Sequence, residues 1–183
     1  QWLEQGDLEH MDAASFRLLP MVYRNLSNAG GVVPRIKRLR LVYRHSWFRN
    51  QALFVEARRF VDELERAGIP AMLLKGGAMT LRHYRDDGIR YMTDVDVLVP
   101  PASFAAAIAA VTGAGWEPNG IEASRLLRLR RAAFQHGWGF RREGSEVDLH
   151  AQLTRFVPMD DSYLYRGAQT VDWRGTRVSL PSD

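Results

Sequence analysis

The feature that most limits the fold is a long amphipathic stretch between Pro34 and Gly68. Its apolar side chains recur close to every 3.6 residues, which is the period of an α-helix. Proline suits the first turn of a helix, and a glycine commonly follows its last turn. We therefore predict one long helix, in which the aromatic side chains of Trp47, Phe54 and Phe60 lie in the core.

The regions on either side of this helix have different patterns. Apolar residues at helical spacing predict further helices over residues 7–28, 78–84, 103–111 and 121–134. Short apolar or alternating runs predict strands over residues 71–74, 92–99, 136–142, 146–153, 170–173 and 177–180. Glycine-containing turns join the last four strands into two hairpins. The first third is thus helical and the last third is mostly strand.

Composition narrows the class of protein. The 183 residues are 46% hydrophobic and 25% charged, which excludes a wholly disordered or collagen-like chain and predicts one domain, with at most a small appendage. No apolar run approaches the roughly 18 residues of a membrane span, and no signal peptide is visible. The absence of cysteine removes disulfides, thiolate catalysis and cysteine-bound zinc, and it fits a cytoplasmic protein. A net charge of +4 permits a polyanionic partner without requiring one.

A glycine turn follows the predicted strand at residues 71–74. Lys75, Gly76 and Gly77 stand between that strand and a helix start, and Lys75 is one of only two lysines in an arginine-rich chain. Backbone N–H groups at a helix N-terminus bind phosphate, and glycines allow a phosphate to approach the backbone closely. Such a sequence is more often only a turn, and Lys75 either contacts phosphate or pairs with a nearby acid.

Two carboxylates occur within the predicted strand over residues 92–99. Side chains alternate along a strand, so Asp94 and Asp96 would share one face, with Cα atoms about 6.6 Å apart. Carboxylates at this spacing repel each other and can share one divalent cation or a pair of cations. A solvated strand face is the commoner origin of such a pair.

A third carboxylate lies on a later strand. The predicted face there carries Glu146, Asp148, His150 and Gln152. If the strands are neighbours, Asp148 comes to lie beside Asp94 and Asp96. A phosphate turn, a helix, a two-carboxylate strand and a third carboxylate, in this order, form the arrangement that two-metal nucleotidyl transfer requires.

These motifs also carry a resemblance to a known family. The sequence LLKGGA at residues 73–78, then Tyr84, Asp86 and Gly88, then RYMTDVDVLV at residues 90–99, resembles the uncharacterised bacterial nucleotidyltransferases (nucleotidyltransferase family 5). That family belongs to the DNA polymerase β-like superfamily. The resemblance covers about residues 20–155 and includes the VDLH sequence at residues 147–150.

The resemblance implies an α+β fold: a nucleotidyltransferase-like mixed β-sheet flanked by helices and preceded by an N-terminal helical segment. It further implies a nucleoside triphosphate donor and dependence on Mg²⁺ or Mn²⁺. By this resemblance Asp94, Asp96 and Asp148 are the catalytic metal ligands, and Asp148 either holds the metal on the nucleophile side or takes the nucleophile's proton. Gly76 and Gly77 stand where the superfamily has Gly-Ser, so the phosphate loses a hydroxyl ligand.

Two further residues are candidates for binding. Arg90, four residues before Asp94, contacts phosphate or substrate or is an ordinary surface arginine. His150 orients the acceptor, acts as an acid or base, or is a structural histidine. The expected domains are N-terminal helices over residues 1–68, packed on a nucleotidyltransferase core over residues 69–183 that is truncated before C-terminal helices.

Three functions follow from this pattern. The first is transfer of a nucleoside monophosphate to a hydroxyl of a small molecule, a peptide or a protein. The second is the same chemistry on tRNA or other RNA, as in a toxin, with the basic helix over residues 125–131 as the RNA contact or as a solvated face. The third is a non-catalytic nucleotide-binding module. The sequence does not specify the nucleotide, the acceptor or the oligomeric state.

Overall fold

The computed structural model describes residues 11–30, 35–128, 137–153 and 162–182. The helices are α1 (Ala13–Phe16), α2 (Leu19–Asn28), α3 (Ile36–Arg66), α4 (Lys75–Met79), α5 (Phe104–Gly113), α6 (Ala123–Arg128) and α7 (Ser162–Arg166). A π-helical turn (Thr80–Tyr84) extends α4, and a 3₁₀ turn (Pro101–Ser103) precedes α5. The strands are β1 (Met72–Leu73), β2 (Val95–Leu98), β3 (Glu117–Pro118), β4 (Gly137–Arg142), β5 (Ser145–His150), β6 (Gln169–Trp173) and β7 (Thr176–Leu180).

The described strands form one seven-stranded sheet in the order β3-β4-β5-β2-β1-β7-β6. Strand β2 pairs with β5 in parallel and β1 pairs with β7 in parallel, whereas the other neighbours are antiparallel. The predicted mixed sheet flanked by helices is therefore confirmed. Both predicted hairpins form through two-residue loops, and Glu143 with Gly144 and Arg174 with Gly175 adopt the positive φ angles that such tight turns require.

The predicted long helix is α3, which has 31 residues. It ends where Gly68 adopts a φ of +70°, which lets the Ile69 N–H donate to the Leu64 carbonyl at 2.9 Å. Phe54 and Phe60 are buried as predicted, in one cluster with side chains from the central strands. The prediction for Trp47 was wrong, because this side chain is 39% exposed.

Several predicted boundaries change. The helix expected over residues 7–28 is broken between α1 and α2, where Pro20 lies in the first turn of α2 and cannot donate a backbone hydrogen bond to the preceding turn. The strand expected over 92–99 begins only at Val95. Residues 7–10, 129–134 and 136 of the predicted elements lie outside the described residues.

Among the described residues, no helix combines the length and the apolar character of a membrane span. The proposed division into 1–68 and 69–183 stays a prediction. Residues of α3 such as Leu53 and Ala57 share a hydrophobic cluster with Val97 and Leu149 of the sheet, so the long helix contributes to the same core as the strands.

Candidate functional site

Two parallel central strands bring the predicted carboxylates together. Strands β2 and β5 pair in a register that places Asp96 directly opposite Asp148. The flanking Val97 and Leu149 are also opposite each other and are fully buried, so the apolar side chains fix which face each aspartate occupies. The sequence prediction that a neighbouring strand brings Asp148 beside Asp96 is confirmed.

Asp94 lies near Asp96 and Asp148 but outside the regular part of β2. It precedes the first residue of β2, so strand alternation does not set its direction as the sequence suggested. It is half-buried and lines the same cleft as Asp96 and Asp148. Three carboxylates therefore face one cleft.

Asp96 is the most enclosed of the three, with 7% of its surface exposed. Its Oδ1 atom accepts a hydrogen bond from the Lys75 ammonium and lies 2.8 Å from His150 Nε2. Burial by itself raises the pKa of the Asp96 carboxyl, but the hydrogen bonds and positive charge of His150 and Lys75 outweigh burial and hold it below its ordinary value. Asp96 is thus ionised. Of the two roles predicted for Lys75, the structure shows the pairing with a nearby acid.

Asp148 has the opposite electrostatic balance. Burial raises the pKa of its carboxyl, and the charges of Asp94, Asp96 and Glu146 raise it further, whereas His150 lowers it. The charged form of Asp148 is therefore disfavoured by its surroundings. A cation between these carboxylates would remove that cost.

The donor set fits a divalent cation. One ligand atom each from Asp96, Asp148 and His150 lies within 4.8 Å of the other two. Asp94 adds a carboxylate to the same cleft, although it is not a member of that converging group. Carboxylate oxygens suit Mg²⁺ and Mn²⁺, while an imidazole is a ligand that Mg²⁺ uses little.

The glycine turn forms one wall of the cleft. Helix α4 begins at Lys75, which has a φ of +45°, an uncommon conformation for a residue other than glycine. A Cβ atom on Gly76 would lie 2.9 Å from Met92 Sδ and 3.5 Å from Arg90 Nε, so a larger residue there would require the Met92 side chain to move. Gly77 instead packs toward the core, where a Cβ would be 3.6 Å from Val95.

The cleft has a volume of about 160 Å³. The predicted residues that line it are Lys75, Gly76, Arg90, Asp94, Asp96 and Asp148, whereas Gly77 and His150 are not among its lining residues. Arg17, from the break between α1 and α2, also lines it and was missed by the sequence analysis. Three cations thus face three carboxylates.

Two glycines of β4 were also missed. Gly137 lies opposite His150 and Gly139 lies opposite Asp148. A Cβ on Gly137 would be 2.7 Å from His150 Nδ1, and one on Gly139 would be 3.0 Å from an Asp148 carboxylate oxygen. The signal was present in the sequence, because glycines at alternate positions of a strand often mark a close approach by another group.

A buried amide of α3 fixes the loop that leads into the site. Asn50 is 0% exposed, and its Nδ2 donates to the carbonyls of Asp87 and Arg90, each at 2.6 Å. Its Oδ1 accepts from the Met92 N–H at 3.2 Å. One side chain therefore holds three backbone groups of the segment that carries Arg90 and Asp94.

Comparisons with known proteins found a similar solved structure and a matching family profile. A solved structure of a Thermotoga maritima protein, provisionally assigned as a nucleotidyltransferase, is similar over 69% of this chain and 74% of its own, at 11% identity and a TM-score of 0.46. A search of curated proteins found no match. A sequence profile of uncharacterised nucleotidyltransferases matches residues 13–183. Because that match extends over nearly the whole chain, the protein belongs to this nucleotidyltransferase family.

Proposed function

We propose that the protein transfers a nucleoside monophosphate from a nucleoside triphosphate to a hydroxyl acceptor, with Mg²⁺ or Mn²⁺ bound at the carboxylates. The observation that carries the proposal is the parallel register that sets Asp96 opposite Asp148 in the cleft that Asp94 and Lys75 also line. Three carboxylates that face one cleft and are buried or half-buried repel one another, which has little structural benefit without a cation.

Asp94, Asp96 and Asp148 would hold the metal, which when bound polarises the reacting phosphate and offsets the negative charge of the triphosphate. His150 then acts through Asp96, since its Nε2 contacts Asp96 Oδ1 and orients that carboxylate. In this proposal His150 positions Asp96, which corresponds to the structural histidine among the roles predicted for it.

The cations of the cleft would bind the triphosphate. Lys75 has a side chain that is 60% exposed, so its ammonium can exchange Asp96 for a phosphate oxygen when a nucleotide enters. Arg90 lies over Gly76, and neither Arg90 nor Arg17 has an ion-pair partner within the described part of the chain. Together with the backbone N–H group of Gly76, they would provide donors for phosphate.

The proposed reaction is a displacement at the α-phosphorus. The acceptor oxygen forms a bond to that phosphorus, the bond from it to the oxygen bridging to the β-phosphate breaks, and pyrophosphate leaves. The proton of the acceptor hydroxyl would pass to the Asp148 carboxylate oxygen that the metal leaves free. The cations Arg17, Lys75 and Arg90 stabilise the departing pyrophosphate.

The non-catalytic alternative gains less support from the site. The basic segment over residues 125–131, which motivated an RNA acceptor, lies partly outside the described residues, so the RNA alternative stays a prediction. A non-catalytic module would keep the phosphate cations without needing three carboxylates in the same cleft.

The test is thermal unfolding of the wild type with ATP, GTP, CTP and UTP, each with and without Mg²⁺. A nucleotide at 100 times its dissociation constant adds about 2.7 kcal/mol, which is about 5–11 °C for a chain of this size. We expect a Mg²⁺-dependent shift with at least one nucleotide, lost in Asp148→Asn and kept in Glu122→Gln, a control at an exposed position outside the cleft. An equal shift in Asp148→Asn would contradict the proposed site.

A further inference from the structure

A second hollow opens beside the cleft, and we refer to it as the aromatic groove. It has a volume of about 380 Å³ and is lined by His45, Phe48, Arg49, Ala52, Leu53, Thr93 and the β4–β5 turn at residues 143–145. Thr93 lines both the groove and the cleft, and Asp94 is the next residue along the chain. A molecule in the groove would therefore lie next to the carboxylates.

The groove presents aromatic surface. Phe48 is 59% exposed, although burial of such a side chain is normally favourable. The His45 ring stacks on Tyr91 with centroids 6.1 Å apart, and the Arg49 guanidinium lies 5.2 Å from the centre of the same Tyr91 ring. Tyr91 lines the cleft, so His45 and Arg49 of the groove lie against a residue of the cleft.

The charge of the groove differs from that of the cleft. Arg49 and Glu143 line the groove and carry opposite charges, and Glu143 also lies 3.8 Å from Arg59, so the groove has no concentration of cations like that of the cleft. The cleft, in contrast, has Arg17, Lys75 and Arg90 available for phosphate. A polyanion such as RNA has no electrostatic reason to lie in a groove of balanced charge.

We propose that the aromatic groove is the acceptor site and that it takes an uncharged small molecule bearing a phenolic hydroxyl. This inference rests on the proposed function. The volume lies within the range of small-molecule sites, and the planar side chains match the face of an aromatic ring. In the transfer, the phenolic oxygen forms the new bond to the α-phosphorus, its proton passes to Asp148, and pyrophosphate leaves.

The test uses 3-fluoro-N-acetyltyrosinamide as a probe, observed by fluorine NMR with the full chain. Phe48→Ala should weaken binding of the probe about three- to tenfold, because it removes one aromatic pair. The matched control is Leu41→Ala on the same helix, which alters a side chain that is 64% exposed and outside the groove, and should change binding less than twofold. Equal binding to Phe48→Ala and wild type, or displacement of the probe by tRNA, would overturn the proposal.

A second arm places the probe relative to the carboxylates. Bound Mn²⁺ broadens the fluorine signal of a nearby ring, and Asp148→Asn should remove that broadening while leaving binding of the probe intact. Binding without broadening, under conditions where nucleotide still produces its Mg²⁺-dependent thermal shift, overturns the acceptor assignment alone. If nucleotide produces no Mg²⁺-dependent thermal shift, the proposed function itself is contradicted. The effect of Phe48→Ala on probe binding is measured without nucleotide and therefore tests the groove separately.

Discussion

Asn50 should contribute strongly to stability although it lies outside the cleft. Asn50→Ala removes three hydrogen bonds to the loop at Asp87, Arg90 and Met92 and leaves their backbone groups without this partner. At about 1 kcal/mol for each bond, the free energy of unfolding should fall by about 3 kcal/mol. For a chain of this size, the melting temperature should fall by about 6–12 °C.

The same substitution should loosen the approach to the site. Hydrogen exchange at the Met92 amide, whose N–H donates to Asn50, should become faster, and the KM for nucleotide should rise because the loop carries Arg90 and Asp94. The assay is calorimetric unfolding combined with amide exchange and steady-state kinetics.

Gln51→Ala is the matched control for Asn50→Ala. Gln51 is the next residue of the same helix and contacts the same loop through the Asp87 side chain, but it is only half-buried. Gln51 also accepts a hydrogen bond from Arg174, but Arg174 and Asp87 stay paired with each other after the substitution, so the loss of Gln51 should cost less than about 1 kcal/mol. A loss below 1 kcal/mol for Asn50→Ala, or equal losses for the two variants, would refute the idea that Asn50 fixes this loop.

Three further predictions concern single side chains. Asp148→Asn should raise the metal-free melting temperature by about 0.4–4 °C while abolishing transfer, because it relieves about 0.2–1 kcal/mol of cross-strand repulsion; a lower melting temperature would contradict this. Gly139→Ala places a Cβ 2.5 Å from Asn119 Nδ2 and 3.0 Å from an Asp148 oxygen, so it should cost about 1–3 kcal/mol and weaken Mn²⁺ binding. Gly113→Ala, with nothing within 4 Å of the added Cβ, should do neither in calorimetry and titration. Burial and the hydrogen bond to Asp86 raise the pKa of the Tyr43 hydroxyl to about 12 from 10.0, so its stabilisation is full below pH 10 and is lost as the pH rises toward 12. Melting temperatures in that window should therefore fall less steeply for Tyr43→Phe than for the wild type.

The strand pairing around the site follows well from the sequence. Asp96 and Asp148 each lie between buried aliphatic residues, so alternation alone places them on corresponding faces of their strands. The sequence also indicates the glycine turn, because Gly76 and Gly77 directly follow an apolar run. These features depend on local pattern, which a single sequence contains.

Features of the site that depend on contacts between distant parts of the chain could not be predicted from the sequence. Arg17 reaches the cleft only because the helix breaks before α2 and the segment packs near the loop at Tyr91, where Phe16 meets the Tyr91 ring edge-on. Trp47 has helical spacing that suggests burial, yet it lies on the exposed side of α3 with Phe48. Helical periodicity shows that a face is apolar but does not show what covers it.

The central claim is that Asp96 and Asp148 hold a divalent cation together with a nucleotide. The most direct measurement is the anomalous difference map of crystals soaked with MnCl₂ and α,β-methylene ATP, a donor that cannot release pyrophosphate. We predict a manganese peak about 2.2 Å from carboxylate oxygens of both residues, with the triphosphate beside Lys75 and Arg90. An ordered nucleotide with no peak between those two carboxylates would contradict the account.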